Sequence, residues 1–269
     1  MANIIITENL SYSCGKNKIL DNISFIVEKG TFTSIIGSSG CGKSIIGKAL
    51  LGIVEFDGNV SISNIKVCNN NISKIKKYVD IVFENPDNQF IIDNVEEELM
   101  FILENLNYRS KDIEDKINEI VELLNIKELL KKSMNQLSSG EKQLVSLATI
   151  LIKEPKVLII DNAFTMLDGV TKNNILRILK SLKKEKEMTI IFITSNMEDT
   201  VYSDKIIVLD NGEIILEGTK DYVYKEEKLL KKIGLNLPFM VDLSNKLSYY
   251  GLIDKTMLNM ENMVDKLWK

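Results

Sequence analysis

Gly37-Ser38-Ser39-Gly40-Cys41-Gly42-Lys43-Ser44 is the stretch on which the reading of this chain turns. The octapeptide fits G-x-x-x-x-G-K-[ST], and its surroundings give that pattern physical meaning. An apolar run at 31–36 precedes it, and Ile46, Ala49, Leu50 and Ile53 follow at i, i+3, i+4 and i+7, the spacing of one helix face. A strand, a glycine-rich loop and a helix are predicted in succession. Glycines at 37, 40 and 42 let the backbone curl so that successive N–H groups point inward, where the helix dipole adds its positive end. Phosphate is the natural guest. The amides of Ser38, Ser39, Gly40, Cys41, Gly42 and Ile45 are expected to line the cradle that Gly37 opens. Lys43 is placed to reach the β- and γ-phosphates and the Ser44 hydroxyl to ligate Mg²⁺. Cys41 reads as a small packing residue rather than a redox sensor.

Working outward, short continuous apolar runs at 79–83, 157–160, 189–193 and 206–209 have the texture of strands buried on both faces, which implies a mostly parallel sheet. Residues 3–6 and 23–27 are rich in β-branched side chains and flank the turn signal Cys14-Gly15-Lys16-Asn17, so a β-rich edge opens the chain. From about 93 to 153 the pattern turns helical: Ile113, Ile117, Ile120, Val121 and Leu124 recur at helical spacing among charged residues. Asn211-Gly212 between two apolar runs predicts a closing hairpin. After Gly234, Leu243, Leu247, Leu252, Leu258, Met263 and Leu267 supply enough apolar side chains for a small helical appendage. Lys183-Lys184-Glu185-Lys186-Glu187 reads as a solvated helix end. The domain reading is therefore 1–233, with a helical subdomain inserted at about 93–153, and an extension at 234–269.

Composition sets limits on function. At 269 residues, 45% hydrophobic and 27% charged, the chain can bury one sizeable core, and disordered or fibrous classes are excluded. Thirty-four basic against thirty-eight acidic residues give a net charge of −4, a balance that argues against a nucleic-acid coat. No uncharged apolar run approaches the ~18–20 residues of a membrane span, and the first residues lack a signal-peptide pattern. Cys14, Cys41 and Cys68 form no metal-spaced pair, as in a reducing compartment. With no histidine, imidazole catalysis and imidazole metal ligation are excluded.

Two further motifs narrow the class. Val157-Leu158-Ile159-Ile160 ends in Asp161 at the carboxyl edge of the predicted sheet, where a carboxylate downstream of a phosphate-binding loop holds Mg²⁺ or its water shell. Leu137-Ser138-Ser139-Gly140-Glu141-Lys142-Gln143 opens an apolar helix, and a hydroxyl beside exposed N–H groups at a helix start makes an anion site. The segment resembles the LSGGQ signature of ABC ATPases. Phe164-Thr165-Met166-Leu167-Asp168 looks like their D-loop stretch, and Phe83-Glu84-Asn85-Pro86-Asp87-Asn88-Gln89-Phe90 like their Q-loop. That Q-loop, with Val95-Glu96-Glu97 after it, is similar to the ATP-binding subunits of energy-coupling factor importers, which take up vitamins and transition-metal ions. Gly234-Leu235-Asn236-Leu237-Pro238-Phe239 and the helix after it look like the extension through which those subunits pair.

The resemblance implies an α/β P-loop NTPase fold: a RecA-like parallel core, an N-terminal antiparallel β subdomain, a helical subdomain and a short C-terminal helical extension. It also implies ATP and Mg²⁺ as ligands. The implied partners are a second ATPase subunit in a head-to-tail heterodimer, a transmembrane coupling subunit and a substrate-binding membrane subunit. Nucleic acid is not among them, and the location is peripheral, on the cytoplasmic face of the membrane. Ser138, Ser139, Gly140 and Glu141 would complete the partner's ATP pocket, while Glu96-Glu97-Glu98, Phe101, Ile102 and Leu106 lie where the family receives its coupling helices. Four positions depart from the family pattern. Asn162 replaces the glutamate after Asp161, Ser195 the switch histidine and Glu84 the Q-loop glutamine, where a carboxylate would bind Mg²⁺ or repel phosphate. The stacking aromatic aligns with Cys14, with Tyr12 its nearest substitute. All four fall on catalysis, coupling or base stacking, which suggests a degenerate pocket of its own beside an intact signature. Two rivals stay open: a nucleotide-dependent regulatory or dimerisation module, and a soluble ABC ATPase without transport.

Overall fold

Two sheets divide the strands by what each face has to bury. The computed structural model describes residues 2–254, 256–258 and 260–267. β1 (Asn3–Cys14) and β2 (Asn17–Glu28) form a long antiparallel hairpin, β3 (Phe32–Gly37) follows, and the chain enters α1 (Lys43–Leu50). β4 (Asp57–Ile62) and β5 (Ile65–Lys66) return to the first sheet, whose order is β2-β1-β4-β5. After α2 (Ile72–Ile75) and β6 (Val79–Val82) come α3 (Val95–Asn105), α4 (Ser110–Leu124) and α5 (Ser139–Leu151). β7 (Val157–Asp161), α6 (Gly169–Glu185), β8 (Thr189–Thr194), β9 (Lys205–Asp210) and β10 (Glu213–Thr219) complete the second sheet, ordered β10-β9-β3-β8-β7-β6. Its pairs are parallel apart from the β9–β10 hairpin. α7 (Lys220–Val223), α8 (Glu227–Lys232), α9 (Phe239–Tyr249) and α10 (Met260–Leu267) end the described chain.

Alternation along the central strands shows why their sequences are apolar throughout. Leu158 and Ile160 of β7, with Ile190 and Phe192 of β8, pack into the cluster formed with α3–α6. Val157, Ile159, Ile191 and Ile193 point the other way, into the cluster shared with α1 and the antiparallel sheet. Side chains two apart share a face, so a strand sandwiched between two cores is nearly all apolar, and the polar Ser34 of β3 is accommodated by its hydrogen bond to Ser203 Oγ at 2.6 Å. Each such Ile, Leu or Phe contributes about 1.5–3 kcal/mol of burial. A third cluster, with Ile36, Ile206, Val208, Leu235, Leu237 and Val241, docks the start of the C-terminal segment on the sheet.

Three local expectations are corrected. The opening strands run twelve residues each, not four or five. Asn9 (φ 54) and Asn22 (φ 55) sit in register shifts that interrupt strict alternation, which is why the middle of each strand looks polar. Second, Ile53 is not on α1: the helix stops at Leu50, Gly52 (φ 65) takes the left-handed position, Ile53 N–H donates to Lys48 O at 2.9 Å, and Ile53 is 52% exposed. Gly52 was the stop signal. Third, β4 and β5 complete the first sheet unannounced, although Val60 and Ile62 alternate with polar residues before a Ser63-Asn64 turn.

Candidate nucleotide site

The predicted loop lies between the end of β3 and the start of α1, and its close packing explains its glycines. A Cβ on Gly37 would lie 2.1 Å from the Leu209 carbonyl oxygen, and one on Gly42 (φ 101) 2.6 Å from the Leu20 side chain. The octapeptide is therefore fixed by β9 and by the antiparallel sheet, and not by itself alone. Lys43 is buried, and its Nζ donates to Gly37 O at 2.9 Å and Ser38 O at 2.7 Å, so the ammonium lies folded over the loop's own carbonyls. These are bonds that an arriving phosphate can replace with stronger, charge-assisted ones.

At the other lip, Ser44 Oγ donates to Asp161 Oδ1 at 2.8 Å across 117 residues of chain. Asp161 is buried, and burial raises its pKa; the Ser44 hydrogen bond opposes the rise and the nearby charge of Glu84 adds to it. A carboxylate held this way benefits from a divalent cation. Hydroxyl and carboxylate oxygens are the donors Mg²⁺ prefers, so the pair fits that ion. Among the described residues no cluster of three or more His, Cys, Asp or Glu side chains could hold a metal alone. Phosphate oxygens and water would have to complete the shell.

Beside this lip a cleft of about 480 Å³ brings together Ser39, Glu84, Asn162 and Ser195 from the ends of four segments. Asn162 has φ 50, a left-handed conformation that asparagine tolerates, and its N–H donates to Ile193 O at 3.0 Å. Ser195 and Glu84 are exposed. Lys172, on the first turn of α6, is the one cation lining the cleft among the described residues; its ammonium pairs with Asp199 at 2.6 Å, and Asp199 accepts from Thr194 Oγ1 at 2.7 Å. Tyr12 is not brought to the cleft. Its ring packs half-buried against the second core cluster because β1 turns that side toward apolar neighbours, and Cys14 is exposed at the hairpin end.

The start of α5 is built separately. Ser138 caps the helix: its hydroxyl accepts from Glu141 N–H at 3.2 Å while Glu141 accepts from Ser138 N–H at 2.7 Å. Glu141 also pairs with Lys132 at 2.9 Å. The Ser138 backbone bond, then Lys132, bring its pKa down to about 2. The N–H groups of Ser139 and Gly140 have no intrahelical partner by position, and the Ser138 O–H remains free to donate. A Cβ on Gly140 would sit 3.3 Å from Met166 O, so this helix start lies against the segment after β7.

Gln143 and Gln89 then tie α5 to the loop after β6. Gln143 Nε2 donates to Phe83 O at 2.8 Å, and Gln89 Oε1 accepts from Phe83 N–H at 3.0 Å and Ser146 Oγ at 2.7 Å.

Comparison with known proteins fits this arrangement of phosphate loop, strand-end carboxylate and capped helix start. Residues 20–165 match the ABC transporter family. The chain belongs to that family. This ABC ATPase is 32% identical over 265 residues to the energy-coupling factor transporter ATP-binding protein EcfA of Pediococcus pentosaceus, covering 97% of this chain and 95% of that one. It is 36% identical over 274 residues to EcfA1 of Clostridioides difficile, covering 99% of each. Among solved structures it is similar to CbiO1 of Clostridium perfringens, described as part of the ABC transporter complex cbiONQ, at TM-score 0.78 and 27% identity over 94% of this chain and 100% of that one.

Family membership carries ATP binding and hydrolysis as the activity class. The α/β P-loop architecture expected for this ABC ATPase is the one observed. Among the described residues no helix is long and apolar enough to cross a membrane. Of the residues expected to face a membrane partner, Glu98 turns inward: it is buried and accepts from the N–H groups of Ile91 and Ile92. Phe101 and Ile102 are half-buried, Ile102 against the first core cluster, and Leu106 stays exposed. Sequence reasoning missed the Lys172–Asp199–Thr194 chain and the two anchoring glutamines, because the links Lys172–Asp199, Gln89–Ser146 and Gln143–Phe83 join segments distant in sequence.

Proposed function

We propose that this ABC ATPase is the ATP-binding subunit of an energy-coupling factor type importer for micronutrients, held peripherally on the cytoplasmic face of the membrane. It would pair head-to-tail with a second ATPase subunit and dock on a transmembrane coupling subunit whose companion recognises the substrate. Residues 1–233 form its ATP-binding domain and 234–269 a pairing extension. The observation that carries the reading is the Ser44–Asp161 contact beside a buried Lys43, with Asn162 and Ser195 in the adjoining cleft.

Lys43 exchanges the Gly37 and Ser38 carbonyls for the β- and γ-phosphates, and the loop amides from Ser38 to Ile45 wrap the anion. Ser44 and Asp161 would hold Mg²⁺, with Glu84 within electrostatic reach of Asp161. The ion, when bound, offsets phosphate charge. Water attack on the γ-phosphorus requires a group to take the water's proton, and the Asn162 amide cannot; loss of a positioned base costs ~10²–10⁴ in rate. Ser195 is neutral and short. Hydrolysis therefore runs mainly in the partner's pocket, completed by the Ser138 hydroxyl and the N–H of Gly140, while this chain's own ATP closes the dimer.

Co-expression with the transmembrane coupling and substrate-binding subunits of an energy-coupling factor importer tests the reading. A stable complex whose ATPase rate far exceeds that of the purified chain supports it. A chain that binds ATP but associates with no membrane protein would be a regulatory module instead.

A further inference from the structure

The outer face of α6 carries Asn173, Arg177, Lys180 and Lys184 at steps of four, three and four, which sets them on one stripe of the helix. That stripe forms one wall of a groove of about 1060 Å³; Lys220, at the start of α7, faces it with Tyr202 and Leu258.

The charges of the groove do not balance. Arg177, Lys180 and Lys184 are exposed, and among the described residues none has an ion pair or hydrogen bond, whereas the neighbouring Lys183 pairs with Asp204 at 2.6 Å. Of the carboxylates lining the groove, Asp199 is paired with Lys172; Glu198, which accepts from Phe239 N–H at 2.6 Å and keeps its charge, and Glu185 stand against Arg177, Lys180, Lys184 and Lys220. Lys220 is half-buried, and its Nζ donates to Val201 O at 3.0 Å. Burial lowers its pKa, Lys180 and Lys183 add to the fall, and Asp221 and Asp204 oppose it. Four cations thus crowd one groove of a chain whose net charge is −4. A low-dielectric wall focuses that field, so the groove attracts anions.

The stripe from Asn173 to Lys184 is ~16 Å long at the helical rise per residue. A single phosphate would reach one or two of its charges, while about five residues of extended peptide span the whole of it. Tyr202 and Leu258 add apolar surface to the same groove, which suits a segment that carries both acidic and apolar side chains.

We propose that the groove between α6 and α7 binds an extended acidic segment of a partner protein through Arg177, Lys180, Lys184 and Lys220. The inference stands independently of the importer assignment. Leu167, Lys172, Asn196 and Asp199 line both this groove and the cleft that holds Ser195, so the bound segment lies directly beside the candidate nucleotide site.

The test is fluorescence anisotropy of the full chain with a fluorescein-labelled peptide of three Glu-Glu-Leu repeats, against Gln-Gln-Leu repeats and inorganic tripolyphosphate. Saturable binding of the acidic peptide is expected, loosening as salt rises. Arg177→Glu/Lys180→Glu should weaken it at least tenfold. Lys74→Glu/Lys76→Glu, the same charge change at exposed positions around α2, should weaken it less than twofold. If the first pair lowers the urea midpoint, Arg177→Gln/Lys180→Gln must show the same loss at smaller size. Equal losses in both pairs would reduce the effect to net charge and overturn the proposal, as would tight binding of tripolyphosphate with none of the acidic peptide.

Discussion

The loop around Lys43 and the strand ends that carry Glu84, Asn162 and Ser195 adjoin one another and are built by opposite means. The loop is backbone: eight consecutive residues, packed against Leu209 and Leu20 and anchored by the buried Cys41, present amides whatever the side chains at 38 and 39. The strand ends offer one side chain each, from β6, β7 and β8, and the fold does not lean on them. Asn162 is anchored through its backbone to Ile193, and Ser195 is exposed. Phosphate binding therefore survives substitutions that remove proton transfer. The start of α5 combines both means: the N–H groups of Ser139 and Gly140 are backbone, while the capping box that holds them is made by the Ser138 and Glu141 side chains.

Exchanging a group in each region breaks or sharpens this contrast. The largest effect is expected at Gly140: Gly140→Asp should silence the assembled complex by ~10²–10³ or more, the loss that follows removal of transition-state hydrogen bonds, while Asn162→Ala leaves phosphate release within twofold. Both variants must still co-elute with the partner on size exclusion. The opposite ranking would make this chain's own pocket the working one. Next, Asn162→Glu with Ser195→His should raise the turnover of the purified chain by ~10². If the unaltered chain alone already turns over at the ~1–100 s⁻¹ common among kinases, the strand ends are not deficient. Lys43→Ala should weaken binding of a fluorescent ATP analogue by about 10–100-fold, the worth of a hydrogen bond to a charged group; unchanged affinity refutes the role given to Lys43.

The smallest effect tests the capping box. Glu141→Ala should cost about 1 kcal/mol in urea unfolding at neutral pH. The Glu141 pKa falls from 4.5 in the reference state to about 2 in the folded chain, so its contribution is complete above 4.5 and fades as pH drops toward 2. The gap between wild type and Glu141→Ala should close over that interval. A gap independent of pH would mean that packing and not the carboxylate holds the helix start.

The β9–β10 hairpin turned where Asn211-Gly212 said it would, because turn chemistry is confined to adjacent residues. The central strands were legible for a similar reason: burial on both faces leaves an unbroken apolar run. Ile53 misled because helical spacing continues past a left-handed glycine that ends the helix. Where the Tyr12 ring packs was not legible, because the register of β1 and not its adjacency to Cys14 sets it half-buried against the second core cluster.

By itself the sequence determined the phosphate loop, the parallel core and the family, since each rests on contiguous residues whose geometry is local. Tertiary structure alone decided that Ser44 meets Asp161 across 117 residues, that Lys172 is held by Asp199 and that Glu98 faces inward. It also gathered the cations of α6 and α7 into one groove. Such contacts depend on which strand ends lie side by side, and that follows from the packing of whole faces, a property no short window of sequence contains.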